Sequence, residues 1–212
     1  MSSNLDKLLS STSSALSADE PALNSGLEGL AGSLSMGLLD MLRKRNGFYA
    51  LESALHVFPS CSGHQGMGLD KWNDDSLWRN EYQGMTDGCL FFAEDIFGGQ
   101  FCIKANKIYT FDPETGELEY LANDIEGWAK AIITDYEVLT GYRLAHQWQE
   151  NNGQLPADKR LLPKTPFVAG GEFTLDNLYL NDAVEGMKFR ADIANQIRDL
   201  PDGAQIQFNV VG

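Results

Sequence analysis

The sequence predicts an α+β fold, a mainly antiparallel sheet with helices packed on it, and three observations carry that reading. Short apolar runs at Cys89–Ala93, Gln100–Lys104, Lys107–Asp112 and Glu117–Leu121 are spaced as hairpin-connected strands. Helical periodicity precedes them from Leu27 and follows them from Ile125. The order of these segments lacks the strict strand and helix alternation that a parallel sheet requires.

Taken in order, residues 1–24 are rich in Ser, poor in aromatics and broken by Ala18-Asp-Glu-Pro21, which predicts a flexible or weakly helical arm. Leu27, Leu30, Ala31, Leu34, Leu38, Leu39 and Leu42 then recur at helical spacing. Gly26, Gly29, Gly32 and Gly37 each cost that helix about 1 kcal/mol relative to Ala, so tertiary packing must hold it. Arg43, Lys44 and Arg45 complement its C-terminal dipole and Asn46-Gly47 supplies a left-handed stop. Phe48 to Pro59 is densely apolar, Cys61 to Gly66 is a polar glycine-containing loop, and Trp72, Leu77, Trp78 and Tyr82 predict a loop with a short helix pinned to the core.

Within the meander, Asp112-Pro-Glu-Thr-Gly116 is a tight turn whose Gly116 supplies positive φ. Asp124 is the expected N-cap of a helix from Ile125 to Leu139, whose apolar face is Trp128, Ile132, Tyr136 and Leu139 and whose end is Gly141. A further helix runs through Leu144 and Trp148. Pro156, Pro163 and Pro166 punctuate an ordered connector, followed by a strand at Phe173–Leu180, a helix at Asp182–Leu200 and a final strand at Ala204–Val211.

The 212 residues suffice for one main core, and a mean hydropathy of -0.27 speaks against a membrane protein. Thirty acidic against sixteen basic residues give a net charge of -14, a field that repels nucleic acid and anionic lipid and favours a basic partner. The three cysteines, Cys61, Cys89 and Cys102, are too few and too irregular for a disulfide framework and fit a reducing cytoplasm. Neither a secretory signal nor a run of ~18 apolar residues is visible.

Catalytic, cofactor-binding and metal-binding constellations do not emerge. Cys61, His64, Cys89, Cys102 and His56 lack the paired spacing of a zinc site. Cys61 with His64 as nucleophile and base rests on adjacency alone. Glu94 and Asp95 beside Gly98-Gly99 read as the start of a bulged turn rather than paired carboxylates, since neighbours in a strand face opposite ways. Gly98-Gly99 also lacks the downstream Lys of a phosphate loop. What remains is an acidic series, Glu94, Asp95, Asp112, Glu114, Glu117, Glu119, Asp124 and Glu126, with Lys104 and Lys107 the nearby cations.

Leu42-Arg-Lys-Arg-Asn-Gly-Phe48, the run Leu90–Lys104 with its Gly98-Gly99 turn, Ile108–Gly116 and Asp124-Ile-Glu-Gly-Trp-Ala129 together resemble the SMI1/KNR4, or SUKH, superfamily, over roughly Leu27 to Leu139. The resemblance implies an immunity protein that neutralises a bacterial toxin, often a nuclease, by direct occlusion and without catalysis. It divides the chain into an arm at 1–24, an SMI1/KNR4-like domain at 25–143 and a C-terminal α/β extension at 144–212 packed on that domain. The expected partner is a basic cognate toxin, met by Glu94, Asp95, Asp112, Glu114, Glu117 and Glu119 with Trp72 and Trp78 as aromatic anchors; no direct nucleic-acid or membrane contact and no cofactor is expected. The alternatives are an enzyme or small-ligand protein with a cleft near Glu94 and Asp95, and a regulatory scaffold.

Overall fold

The structure, a computed structural model, describes residues 2–63 and 66–201. Its first helix, α1 (Asn4–Leu9), starts with a capping box in which Ser3 and Asp6 each accept the other's backbone N–H. Two more N–H groups of its first turn, those of Asn4 and Leu5, donate to Glu126 Oε2 at 2.9 and 3.3 Å. Leu5, Leu8 and Leu9 enter the main core. Beyond the helix Thr12 bridges Ala50, Ser13 N–H donates to Tyr49 O and Leu16 N–H to Asn46 O. Of the flexible or weakly helical arm expected over 1–24, residues 2–24 are therefore a segment packed on the core with one short helix. Its apolar stripe, at spacings of three and four residues, is one turn and a half long and lies among serines, too short to show as periodicity.

The glycine-rich helix predicted from Leu27 divides. Asn24 caps α2 (Ser25–Ala31), Gly32 at φ +55° opens a 3-10 turn over Gly32–Leu34, and α3 (Ser35–Lys44) follows with Arg43 and Lys44 in its last turn. The stop falls where expected. Gly47 has φ +69°, and a Cβ there would lie 2.6 Å from Pro59 N, so this junction needs glycine twice over.

Six antiparallel strands then pair in chain order: β1 (Phe48–Ala50), β2 (Leu55–Val57), β3 (Leu90–Asp95), β4 (Gln100–Lys104), β5 (Lys107–Phe111) and β6 (Leu118–Ala122). The last four match the predicted meander. The first two lie inside the apolar stretch Phe48–Pro59 and carry no turn signature, because Leu51, Glu52 and Ser53 make the connection at positive φ without glycine or asparagine. α4 (Leu69–Trp72) and a 3-10 turn at Arg79–Tyr82 sit in the expected aromatic-rich loop. Trp78 meets Trp72, Tyr82 and Phe91, whereas Phe92 and Phe101 pack on Trp128 across the sheet. Successive strand residues thus pack on opposite faces of the sheet within one main core.

Asp124 caps α5 (Ile125–Thr134), which breaks at Asp135 before α6 (Tyr136–Thr140); Gly141 at φ +66° separates α7 (Tyr142–Asn152). The proline-punctuated connector contains a strand, β7 (Lys159–Pro163), paired antiparallel with β8 (Leu178–Asp182). The strand expected at Phe173–Leu180 accordingly starts later, after a 3-10 turn at Leu175–Asn177. Asp182 caps α8 (Ala183–Ile197), which places Ala183, Met187, Ala191 and Ala194 in the main core. The C-terminal segment thus completes the core, and a boundary at 143/144 falls inside α7. The strand expected at Ala204–Val211 and the loop residue His64 lie outside the described residues. Among the described residues no helix is long and apolar enough to cross a membrane.

Because Leu8 is 3% exposed, Leu8→Ala should lower unfolding free energy by about 2–5 kcal/mol in chemical denaturation. A loose arm would leave the denaturation midpoint where it is.

Candidate functional site

The acidic series separates into groups with different partners. Asp124 Oδ1 accepts Gly127 N–H at 2.8 Å as a cap, and Glu126 holds α1, so both have structural duties. Asp112, Glu117 and Glu119 are exposed on the β5–β6 hairpin. Its turn is closed by Asp112 N–H to Glu117 O and Gly116 N–H to Asp112 O, with Asp112 Oδ1 accepting Glu114 N–H at 2.7 Å. These three carboxylates border a shallow groove with Thr110, Leu118 and Tyr120, and Lys107 is drawn over the Tyr120 ring at 5.3 Å.

Four of the residues expected to meet a partner are buried instead: Glu94, Glu114, Trp72 and Trp78. The tryptophans are corrected from surface anchors to core residues, since each supplies the large apolar body that holds the aromatic loop against the sheet. Trp72 Nε1–H donates to Gln100 Oε1 at 2.8 Å. Glu114 Oε2 accepts Val168 N–H at 2.8 Å, tying the hairpin to the segment before β8, and burial pushes its carboxyl above the usual range.

Glu94 is the centre of a buried polar network. Its Oε1 accepts from Arg160 Nη2 and lies 2.9 Å from His56 Nδ1, and its Oε2 accepts from Gln100 Nε2 at 3.3 Å. Burial works to raise the Glu94 carboxyl, but the Arg160 charge and the bonds from His56 and Gln100 hold it below its ordinary value. Burial, with Arg160 nearby, lowers His56 despite its bond to Glu94. Sequence reading missed Arg160, which is wholly buried in the proline-punctuated segment expected as an ordered connector. The available signal was a carboxylate inside the apolar run Leu90-Phe-Phe-Ala-Glu94, a position that demands a buried cation or donor. His56 stands directly opposite Glu94 in the β2–β3 register.

Asp95 leaves β3 toward other partners. Its Oδ1 accepts both Phe97 and Gly99 N–H at 2.8 Å, as expected for a turn built on this Glu-Asp, and Gly98 takes φ +80°. A Cβ on Gly98 would lie 2.5 Å from Arg190 Nη2. Arg190, buried under this turn, donates to Phe97 O at 2.5 Å and Gly186 O at 3.0 Å. A cleft of about 230 Å³ here is lined by Asp95, Asp112, Glu114, Arg190 and the rings of Phe97, Phe167 and Phe173. Burial raises Asp95 to about 7 against the pull of its two backbone donors and Arg190. Glu94 and Asp95 therefore do not converge.

Cys89 and Cys102 are buried and Cys61 is exposed. Among the described residues no group of three or more His, Cys, Asp or Glu side chains is placed to hold a metal ion.

Two measurements probe these networks. Arg160→Ala, which strands a buried carboxylate, should cost about 3–5 kcal/mol in urea unfolding. For Asp95, the folded chain retains a proton between the ordinary 3.8 and about 7, so wild-type stability should fall relative to Asp95→Asn as pH rises through that window. Melting temperatures of the two proteins across that range give the sign directly; parallel curves would contradict it.

No protein-family model matches the chain, and no curated protein matches it. Among solved structures, the crystal structure of Atu4351 from Agrobacterium tumefaciens is similar, with 14% sequence identity and a TM-score of 0.53 over 82% of this chain and 83% of that one. At that identity the likeness shows the α+β fold alone.

Proposed function

We propose that the chain is a binding protein of the SMI1/KNR4 type, an immunity protein that occludes a basic bacterial toxin in the cytoplasm and acts without turnover. The observation that carries this reading is the exposed carboxylate group Asp112, Glu117 and Glu119 on one hairpin of a protein with net charge -14. Such a field accelerates encounter with a basic surface and opposes contact with phosphate backbones. A nuclease, whose substrate groove is basic, is the partner class that best matches that charge. The sequence motifs noted between Leu42 and Ala129 support the same reading, and an α+β body with an antiparallel sheet is compatible with it.

Acid and base catalysis at Glu94 and Asp95 is the weaker reading. It needs both carboxylates on one substrate, whereas Glu94 is engaged by Arg160, His56 and Gln100 and Asp95 by the amides of its own turn.

The test is a charge-reversal series, Asp112→Lys, Glu117→Lys and Glu119→Lys, against the C-terminal domain of a modular toxin whose gene is found immediately upstream of this one. The triple variant should bind about tenfold more slowly at low salt, with a flatter salt dependence and little change in dissociation rate. An unchanged association rate removes the hairpin from the interface, and failure of the two proteins to co-purify removes the immunity reading for that pair.

A further inference from the structure

A second cavity, of about 250 Å³, lies beside the Glu94 network and is not used by the hairpin surface. Its wall is a row of rings: Tyr49 stacks on His56 at 4.5 Å, His56 meets Phe58 edge-on at 4.5 Å, and Phe58 stacks on Trp72 at 4.8 Å. All four of these residues and Glu94 line the space. This volume lies below the roughly 300 Å³ at which drug-sized sites begin, so it suits one or two fused rings.

The polar groups around it are nearly all committed. Tyr49 Oη–H donates to Ala157 O at 2.9 Å, Trp72 Nε1–H to Gln100 Oε1, and Glu94 receives Arg160, His56 and Gln100. His56 is the exception. Its Nδ1 is turned to an ionised carboxylate and so carries the proton, which leaves the lone pair on Nε2. Its side chain is 7% exposed, and Nε2 takes no hydrogen bond among the described residues. An acceptor on a cavity-lining residue that takes no donor from the described residues is open to an N–H or O–H brought by a guest. Burial keeps the ring neutral at neutral pH, so it accepts rather than donates there. The mouth carries Asp158 and Asp182, the latter 3.5 Å from Lys159 Nζ, which disfavours an anionic guest.

We propose that this cavity is a binding site for a small, uncharged, planar heterocycle bearing a ring N–H, which packs on the aromatic wall and donates to His56 Nε2. Arg160 and Glu94 act as positioning residues that hold the imidazole in the accepting tautomer. The site stands apart from the toxin-binding reading, and either holds without the other.

Indole and 1-methylindole are the probes, since they share ring size and differ at the donor. Titrated into the full-length protein by NMR, indole should shift the His56 ring ¹⁵N resonances, with Nδ1 protonated and Nε2 accepting. 1-Methylindole should bind about tenfold more weakly or worse, as a site built around a hydrogen bond rejects an analogue lacking it. His56→Phe, which keeps a ring in the stack, should lose the preference for indole over its methyl derivative. Equal affinity for the two probes in the wild type overturns the proposal, as does the absence of any shift at His56 with indole; both readouts are independent of how well the variant folds.

Discussion

A carboxylate and a guanidinium taken out of water together lose several kcal/mol of hydration each, and Glu94 and Arg160 recover it through each other and through the donors gathered on the carboxylate. The carboxylate is met by His56 from β2, Gln100 from β4 and Arg160 from β7, and Gln100 in turn orients Trp72 of α4. Three segments spread over more than a hundred residues therefore converge on one oxygen pair, and a fourth is tied to it through Gln100. Leu161 N–H, next to Arg160, donates to Ile96 O at 2.9 Å and carries the same register into the backbone. The two-stranded C-terminal sheet is thus a structural requirement of the main sheet, because without Arg160 the interior of β3 would hold an unpaired charge.

That dependence explains what could be foreseen from the residues and what could not. The hairpin from β5 to β6, the Asn46-Gly47 stop and the Asp124 cap are decided within a few residues by backbone sterics and local hydrogen bonds, so their signals are complete in the chain. β1, β2 and β7 are decided by what they pair with. Their own residues are a mixed apolar stretch and a proline-flanked basic segment, patterns equally compatible with coil. α1 is the same case in miniature, a turn and a half of helix made worthwhile by Glu126 and by the core beneath it. The candidate surface followed this division as well. Asp112, Glu117 and Glu119 of the hairpin lie at the exterior, whereas Glu94 and Glu114 are drawn inward by donors far away in sequence.

The charge is accordingly unevenly used. Buried carboxylates organise the interior by accepting from arginine, histidine or backbone amides, each within a geometry that leaves little for a partner. Those of the hairpin have few such obligations, and their field extends into solvent. Counting acidic residues therefore describes the protein poorly, and the number of donors each one receives describes it better.

The bridge between Thr12 and Ala50 lays the N-terminal segment along the free side of β1. The opposite margin, β6, carries Glu117 and Glu119 at and beside its start, and its register with β5 slips between Ile108 and Tyr109. A neighbouring molecule seeking to extend the sheet would meet a covered flank on one side and like charges with a twisted ladder on the other, two devices that oppose edge-to-edge aggregation. The segment whose sequence reads as a flexible or weakly helical arm is, in these terms, a guard against polymerisation.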